Sequence, residues 1–306
     1  MVVIFCLVIV AAVVAGITYP TIGNFTEYIP YLIGLMLFFN FMDVKINWQR
    51  SNIKVLFVTL LMSAAVMPLF AYHVLSRGFI SQYRSGLLLV ACAPTGITTL
   101  VLGQYIRGSD FNLVMSNFFF TTVCSMLYIP FLLKSVLTES VIFARSPLAI
   151  IGQLAVLALL PYIFSCAFSR IVGPGRLIKI KKIAGAITLA LLFCIVAVSI
   201  GKVTDQLTWR AESLWLALSI LAVYLIHGGL GYLIGWLWSN PALKITLPFI
   251  CSSRNMQLVF AIAVLNFPPL TYVPIIMGVF FHHLTNAFWI WVLTRRSVSG
   301  AMARSI

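Results

Sequence analysis

Cys251-Ser-Ser-Arg-Asn-Met-Gln-Leu-Val259 interrupts an apolar run, Ile245–Phe267, that is otherwise free of charge. A second apolar run, ending near Tyr105, is interrupted by Cys92-Ala-Pro-Thr-Gly96. Proline and glycine break a helix, and small hydroxyl residues add little to hold one together. Backbone unwound inside a bilayer needs polar partners, so a break survives only where protein or a wet crevice supplies them. An isolated arginine at that depth costs between about 3 and about 15 kcal/mol. Where these two breaks fall among the remaining apolar runs decides the fold.

Of the 306 residues, 62% are hydrophobic and only 8% charged, and the mean hydropathy is +1.08. No soluble core absorbs that much apolar surface, so the chain is an all-α polytopic membrane protein. Its net charge of +14 sits in short loops between apolar runs. That is a signature of membrane orientation, and it excludes a nucleic-acid partner. The six cysteines all lie in apolar runs with no CxxC pair, which leaves neither a disulfide framework nor a metal site. Val2–Tyr19 lacks a basic leader and a small-residue cleavage site, and is read as a retained span.

At about twenty residues per crossing, ten spans emerge: 2–19, 28–42, 53–75, 85–105, 111–134, 147–168, 183–201, 213–238, 245–266 and 270–293. The second is short and needs tilt or extension by its neighbours. Ten spans set both termini on one side. That side carries Lys45, Arg50, Lys54, Arg107, Arg170, Arg176, Lys179, Lys181, Lys182, Lys244, Arg295, Arg296 and Arg304. The other carries Arg77, Arg84, Lys134, Arg145, Lys202 and Arg210. The bias predicts a multi-pass protein of the cell (inner) membrane with both termini cytoplasmic. Ten divides into five and five, residues 1–138 and 139–306, and two odd-numbered halves must lie inverted to each other. The two breaks fall in the fourth span of each half. Matched interruptions of this kind point to a midplane site formed by both.

Several stretches resemble the bile acid:sodium symporter family, whose relatives include arsenite efflux carriers. They are GLMLFFNFMDVKINW (34–48), VMPLFAY (66–72), CAPTGITTLVLGQYIRG (92–108), NMQLVFAIAVLNFPPL (255–270) and FHHLTNAFW (281–289). The resemblance implies two inverted five-helix repeats, with spans 1, 2, 6 and 7 forming a panel bundle and spans 3–5 and 8–10 a core. Spans 4 and 9 would be broken and crossed, and substrate would bind between panel and core. The departures are as informative. Where sodium-coupled members carry Glu in the ninth span, this chain has Ser253; where they carry Asn and Ser in the fourth, it has Leu100 and Thr99. Their third-span Gln is Ser63 here, and Gln257 and Asn117 survive as oxygen donors. The six acids, Glu27, Asp43, Asp110, Glu139, Asp205 and Glu212, fall in loops or at span ends. The cation-site remnants are therefore Ser63, Thr99, Leu100, Asn117, Ser253 and Gln257, with no carboxylate among them.

Arg254 consequently has no acid of its own span region to pair with. Carbonyls at the break or an anionic ligand remain, and the guanidinium could stand where a sodium ion stands in relatives; a snorkelling arginine in a wet cavity is the alternative. The expected substrate site comprises Thr95, Gly96, Thr98 and Thr99 from span 4, Ser252, Ser253, Arg254, Asn255 and Gln257 from span 9, and His282 and His283 from span 10. His73 and His227 are read as structural, and His282 or His283 as the candidate for proton coupling. Cys92 and Cys251 flank the breaks, and thiolates bind soft metalloids. The spans offer no nucleophile–base pair or carboxylate cluster for an enzyme. The expected function is a secondary transporter of a small or amphipathic organic anion, its sodium coupling weakened or lost. The alternatives are a metalloid efflux carrier and a transporter-derived sensor. No cofactor is expected beyond sodium or a proton as coupling ion. The partners are membrane lipid and the anion, and oligomeric state is left open.

Overall fold

The computed structural model describes residues 2–42, 52–76, 82–96, 98–103, 106, 108–136, 146–204, 211–238 and 240–302. The proposed junction of the two halves at 138/139 lies outside these residues. So do Lys45, Arg50, Arg77, Arg107, Arg145, Arg210, Arg304, Asp43, Glu139 and Asp205.

The first half opens with α1 (Val2–Thr18), a 3₁₀ stretch at Pro20–Tyr28, and α2 (Ile29–Phe41). The 3₁₀ stretch makes up the shortfall of the second span, which runs as a 22-residue apolar segment from Pro20 to Phe41. Asn52 caps α3 (Ile53–Leu61) by accepting a hydrogen bond from the Val55 N–H. The third span then continues through a π-helical turn at Met62–Val66, α4 (Met67–Phe70) and a second π turn at Ala71–Leu75. Pro68 lies between the two turns; a proline removes one helical donor and crowds the preceding turn, and the wider winding relieves both effects. Next come α5 (Arg84–Cys92), α6 (Thr98–Gly103) and α7 (Phe111–Val136).

The second half holds α8 (Pro147–Val172), α9 (Pro174–Val203), α10 (Ala211–Leu237), α11 (Pro241–Ser252), α12 (Met256–Asn266) and α13 (Tyr272–Met302). Ser146 and Asn240 cap α8 and α11, with proline at the first helical position of each. Gly173 turns the chain at φ 74, and α9 starts immediately at Pro174. Lys179, Lys181 and Lys182 thus extend a helix where the hydropathy pattern suggests a loop. Among the described residues, seven helices are long and apolar enough to cross a membrane, and α1, α11 and α12 are shorter apolar pieces. The pairs α5/α6 and α11/α12 are the two interrupted spans. Large apolar side chains line the outside, Leu148 at 76% and Ile171 at 84% exposed. In water such a surface would aggregate; in a bilayer it meets acyl chains.

α1 and the 3₁₀ stretch lie along α9, and α2 lies against α8 and α9. Elsewhere α10 packs most extensively on α11, while α5, α10 and α12 pack on α13. Gly231 and Gly235, four residues apart, let α10 approach α11. A Cβ there would come within 2.6 Å of the Leu247 carbonyl oxygen and 2.7 Å of that of Leu243. Small residues at helical spacing bring backbones together where lipid supplies no hydrophobic drive between helices.

Candidate functional site

The two breaks cross. α5 leaves helical geometry at Ala93 (φ −58, ψ 135), the residue before Pro94, where the proline ring disfavours helix. α11 gives way at Ser253 to extended backbone (φ −91, ψ 118). Thr95 and Arg254 then form an isolated antiparallel bridge. The Gly96 N–H donates to the Ser253 carbonyl at 3.0 Å, and the Asn255 N–H to the Pro94 carbonyl at 2.7 Å. Each break satisfies the backbone the other exposes, as the bilayer requires. Glycine is needed at 96, since a Cβ would lie 2.5 Å from the Arg254 carbonyl oxygen. Asn255 caps the outgoing α12 by accepting from the Leu258 N–H at 3.2 Å.

Arg254 is 2% exposed and lies across the core rather than reaching to water. Its Nη1 donates to the Ala93 carbonyl at 2.6 Å and to Ser63 Oγ of the first π turn at 3.1 Å. Its Nη2 donates to His227 Nδ1 on α10. One side chain thus ties together the third, fourth, eighth and ninth spans. Its side-chain hydrogen-bond partners among the described residues are a hydroxyl, a carbonyl and an imidazole, none of them a carboxylate. Among the described residues, dipoles and lone pairs hold the charge.

A second cluster forms around His282. The Arg254 backbone N–H donates to His282 Nδ1 at 3.1 Å, so the neutral ring carries its hydrogen on Nε2. That nitrogen donates to Thr98 Oγ1 at 2.7 Å. Thr98 is 3.2 Å from Ser253 Oγ, and Asn286 Nδ2 donates to the same Ser253 oxygen at 3.3 Å. His283 is buried with its ring edge-on to that of His282.

Asn117 of α7 anchors a third group. Its amide donates to Thr95 Oγ1 at 2.7 Å and accepts from Thr59, while Thr121 Oγ1 accepts from the Thr95 N–H at 3.2 Å. Ser252 and Thr99 turn their hydroxyls back onto Phe249 and Gly96 carbonyls, and Leu100 is buried. Gln257 points elsewhere. It is the polar residue lining a cavity of about 20 Å³ bounded by Ile33 and Met36 of α2, Leu192 and Val196 of α9, Phe260 of α12 and Ile276 of α13. That volume admits about one water. Cys92 donates its thiol to the Leu89 carbonyl at 3.5 Å.

The expected residues of both breaks therefore meet, with His282 beside them and Ser63 on the guanidinium, whereas Gln257 faces away from it. Sequence reading gave Asn286, Thr59 and Thr121 no part in the site and took His227 as structural, whereas the Ala93 carbonyl is one of the break carbonyls expected to meet the guanidinium. Two signals were available: Thr59 with Ser63, and Asn117 with Thr121, are polar pairs at helical spacing of four in otherwise apolar spans. For His227 the signal was the arginine itself, a buried donor in a region without acids.

A family model described as the sodium bile acid symporter family matches residues 29–210, more than half the chain. The chain is 23% identical over 297 residues to YbaS of Bacillus subtilis (strain 168), an uncharacterized protein, covering 93% of this chain and 94% of the relative. It is 24% identical over 295 residues to YocS of the same organism, named as an uncharacterized sodium-dependent transporter, covering 91% and 87%.

Proposed function

The chain belongs to the sodium bile acid symporter family, and from that premise we propose that it is a secondary transporter of a small or amphipathic organic anion in which Arg254 replaces a coupling sodium ion. The observation that carries this is the guanidinium itself, buried and donating to Ser63 Oγ, the Ala93 carbonyl and His227 Nδ1. A sodium ion within about 4 Å of this fixed charge would be repelled by about 4 kcal/mol at an effective dielectric of 20. That is about a thousandfold in affinity, and no carboxylate among the described residues offsets it.

The helices α1, α2, α8 and α9 act as the panel, and the remaining helices as the core carrying the crossing. The Gln257-lined cavity sits between them, and its mostly apolar wall suits the body of an amphipathic anion. At about 20 Å³ it is far below the roughly 300 Å³ of a ligand pocket. Panel and core must therefore part for loading, as alternating access requires. Arg254 supplies positive potential for a carboxylate, and both termini lie in the cytoplasm.

A stabilisation screen of purified protein with monocarboxylates, bile acids, keto acids and arsenite tests this, each in sodium and in potassium. Stabilisation by an organic anion, equal in the two salts, is expected, followed by accumulation of that anion in proteoliposomes. Tenfold tightening by sodium alone, about 1.4 kcal/mol of coupling, would overturn the sodium replacement. Stoichiometric binding without accumulation would overturn transport.

A further inference from the structure

The partner of Arg254 on α10 has a chemical constraint of its own. A guanidinium only donates, so His227 Nδ1 must present a lone pair and the ring must be neutral with its hydrogen on Nε2. His227 is 1% exposed. Its Nε2, like the Arg254 Nε, has no hydrogen-bond partner among the described residues. A proton arriving at Nδ1 would remove the lone pair and set two cations face to face in a region of low dielectric. The observed pose of Arg254 and a protonated His227 are mutually exclusive.

We propose that His227 is a proton-binding site, and that a proton bound there releases Arg254 from the crossing, so that the proton takes the coupling role sodium has lost. The proton adds to the Nδ1 lone pair, and the Nη2–H bond to it breaks. The guanidinium then withdraws from the carbonyl of Ala93 and from Ser63. Without it, the third, fourth, eighth and ninth spans lose their common tie, and the two breaks are left joined by the backbone bonds of the bridge and by the Thr98–Ser253 and Thr95–Ile250 contacts. Proton loading thus favours an opened crossing, and deprotonation favours the closed one seen here.

The groups around His227 single it out. On its own helix, Tyr224 donates to the Gly278 carbonyl at 2.9 Å. Cys251 of α11 and Cys92 of α5 are buried thiols, and that of Cys92 donates to the Leu89 carbonyl at 3.5 Å. Tyr128 of α7 donates to the Cys92 carbonyl at 2.7 Å. The second π turn, packed on α10, carries Tyr72, with Arg84 over its ring, and the exposed His73. His282 of α13 is the other imidazole in reach, but it accepts from the Arg254 backbone and not from the guanidinium. The charge acting on His227 is Arg254. Its protonation therefore acts directly on the side chain that holds the crossing.

The inference rests on the reading of Arg254 as a fixed internal cation, and its test needs no substrate, so it stands or falls apart from the identity of the anion. Amide hydrogen exchange of the purified wild-type protein is followed by mass spectrometry on peptides carrying the Gly96 and Asn255 amides. It is compared from about pH 8 down to about pH 4, a range carried below the ordinary histidine value near 6.5 because burial and the adjacent guanidinium oppose the proton, and corrected for the chemical exchange rate. Protection of these amides should fall about tenfold on acidification in the wild type and less than about twofold in His227→Gln, whose side-chain oxygen can accept from Arg254 without binding a proton. No change in the wild type, or an equal change in His227→Gln, would overturn the proposal. Should the variant fail to fold, nitrogen-15 spectra of histidine-labelled wild type decide the matter. His227 should show a bare Nδ1 and a protonated Nε2 at about pH 8, and an imidazolium when the crossing opens; a hydrogen on Nδ1 at about pH 8 would overturn it.

Discussion

Arg254 is where composition and mechanism meet in one residue, and its substitutions separate its roles. Arg254→Lys keeps the charge but loses the fork that reaches Ala93, Ser63 and His227 together. It should fold and keep partial uptake. Arg254→Ala leaves the Ala93 carbonyl and its neighbours bare, each at a cost of about 1–3 kcal/mol, so its melting temperature should fall and anion affinity with it. High sodium should restore part of that affinity, because Ser63 and the Ala93 carbonyl then face a vacated cation-sized space. Adding Ser253→Glu should restore more and make binding sodium-dependent, read as the ratio of affinities in sodium and potassium. Equal affinity of wild type and Arg254→Ala at every sodium concentration would sink the cation-replacement idea. Gly96→Ala is the steric counterpart: its methyl would meet the Arg254 carbonyl at 2.5 Å. It should cost about 1–3 kcal/mol and reduce uptake even in potassium.

Among the helices, α10 offers a controlled comparison within seven residues. Gly231→Ala and Gly235→Ala would drive a methyl into the α11 backbone, whereas Gly229 has nothing within 4 Å of such a methyl. The first two should lower stability by about 1–3 kcal/mol, while Gly229→Ala should stay within about 0.5 kcal/mol of wild type, measured as thermal shifts in one detergent. This scale also marks what the sequence could reveal. The apolar runs and both breaks were legible, because hydropathy and the Pro94 and Arg254 interruptions are local properties. The π turns around Pro68 were not, since they exchange one helical hydrogen-bond pattern for another without altering composition. The early start of α9 was hidden by Lys179–Lys182, which read as loop charge but extend a helix past the apolar layer. At the site, the meeting of the two interrupted spans at Thr95 and Arg254 is one that their paired interruptions already suggest. The pairing of His227 with Arg254 is not suggested, because it depends on the rotation of α10 about its axis, which a uniformly apolar span leaves unmarked.

For the molecule as a whole, transport by parting panel from core predicts that joining them stops it. Cysteines replacing Met36 on α2 and Phe260 on α12, which line one cavity, should be bridged by a short bifunctional reagent in a variant otherwise lacking cysteine. Bridging should abolish uptake and leave the melting temperature unchanged or higher; undiminished uptake after complete bridging would exclude that motion. The crossing also has a consequence for how the chain is made. The carbonyls of Ala93 and Pro94 find their partners in Arg254 and Asn255, a separation of 161 residues in both cases. At roughly 5–20 residues per second, the ribosome needs on the order of ten to thirty seconds to supply them. During that interval Thr121, Asn117 and Tyr128 of α7 can answer part of the break, but the Ala93 and Pro94 carbonyls wait. The crossing therefore closes late in synthesis, and these two carbonyls must be kept from lipid until the ninth span arrives.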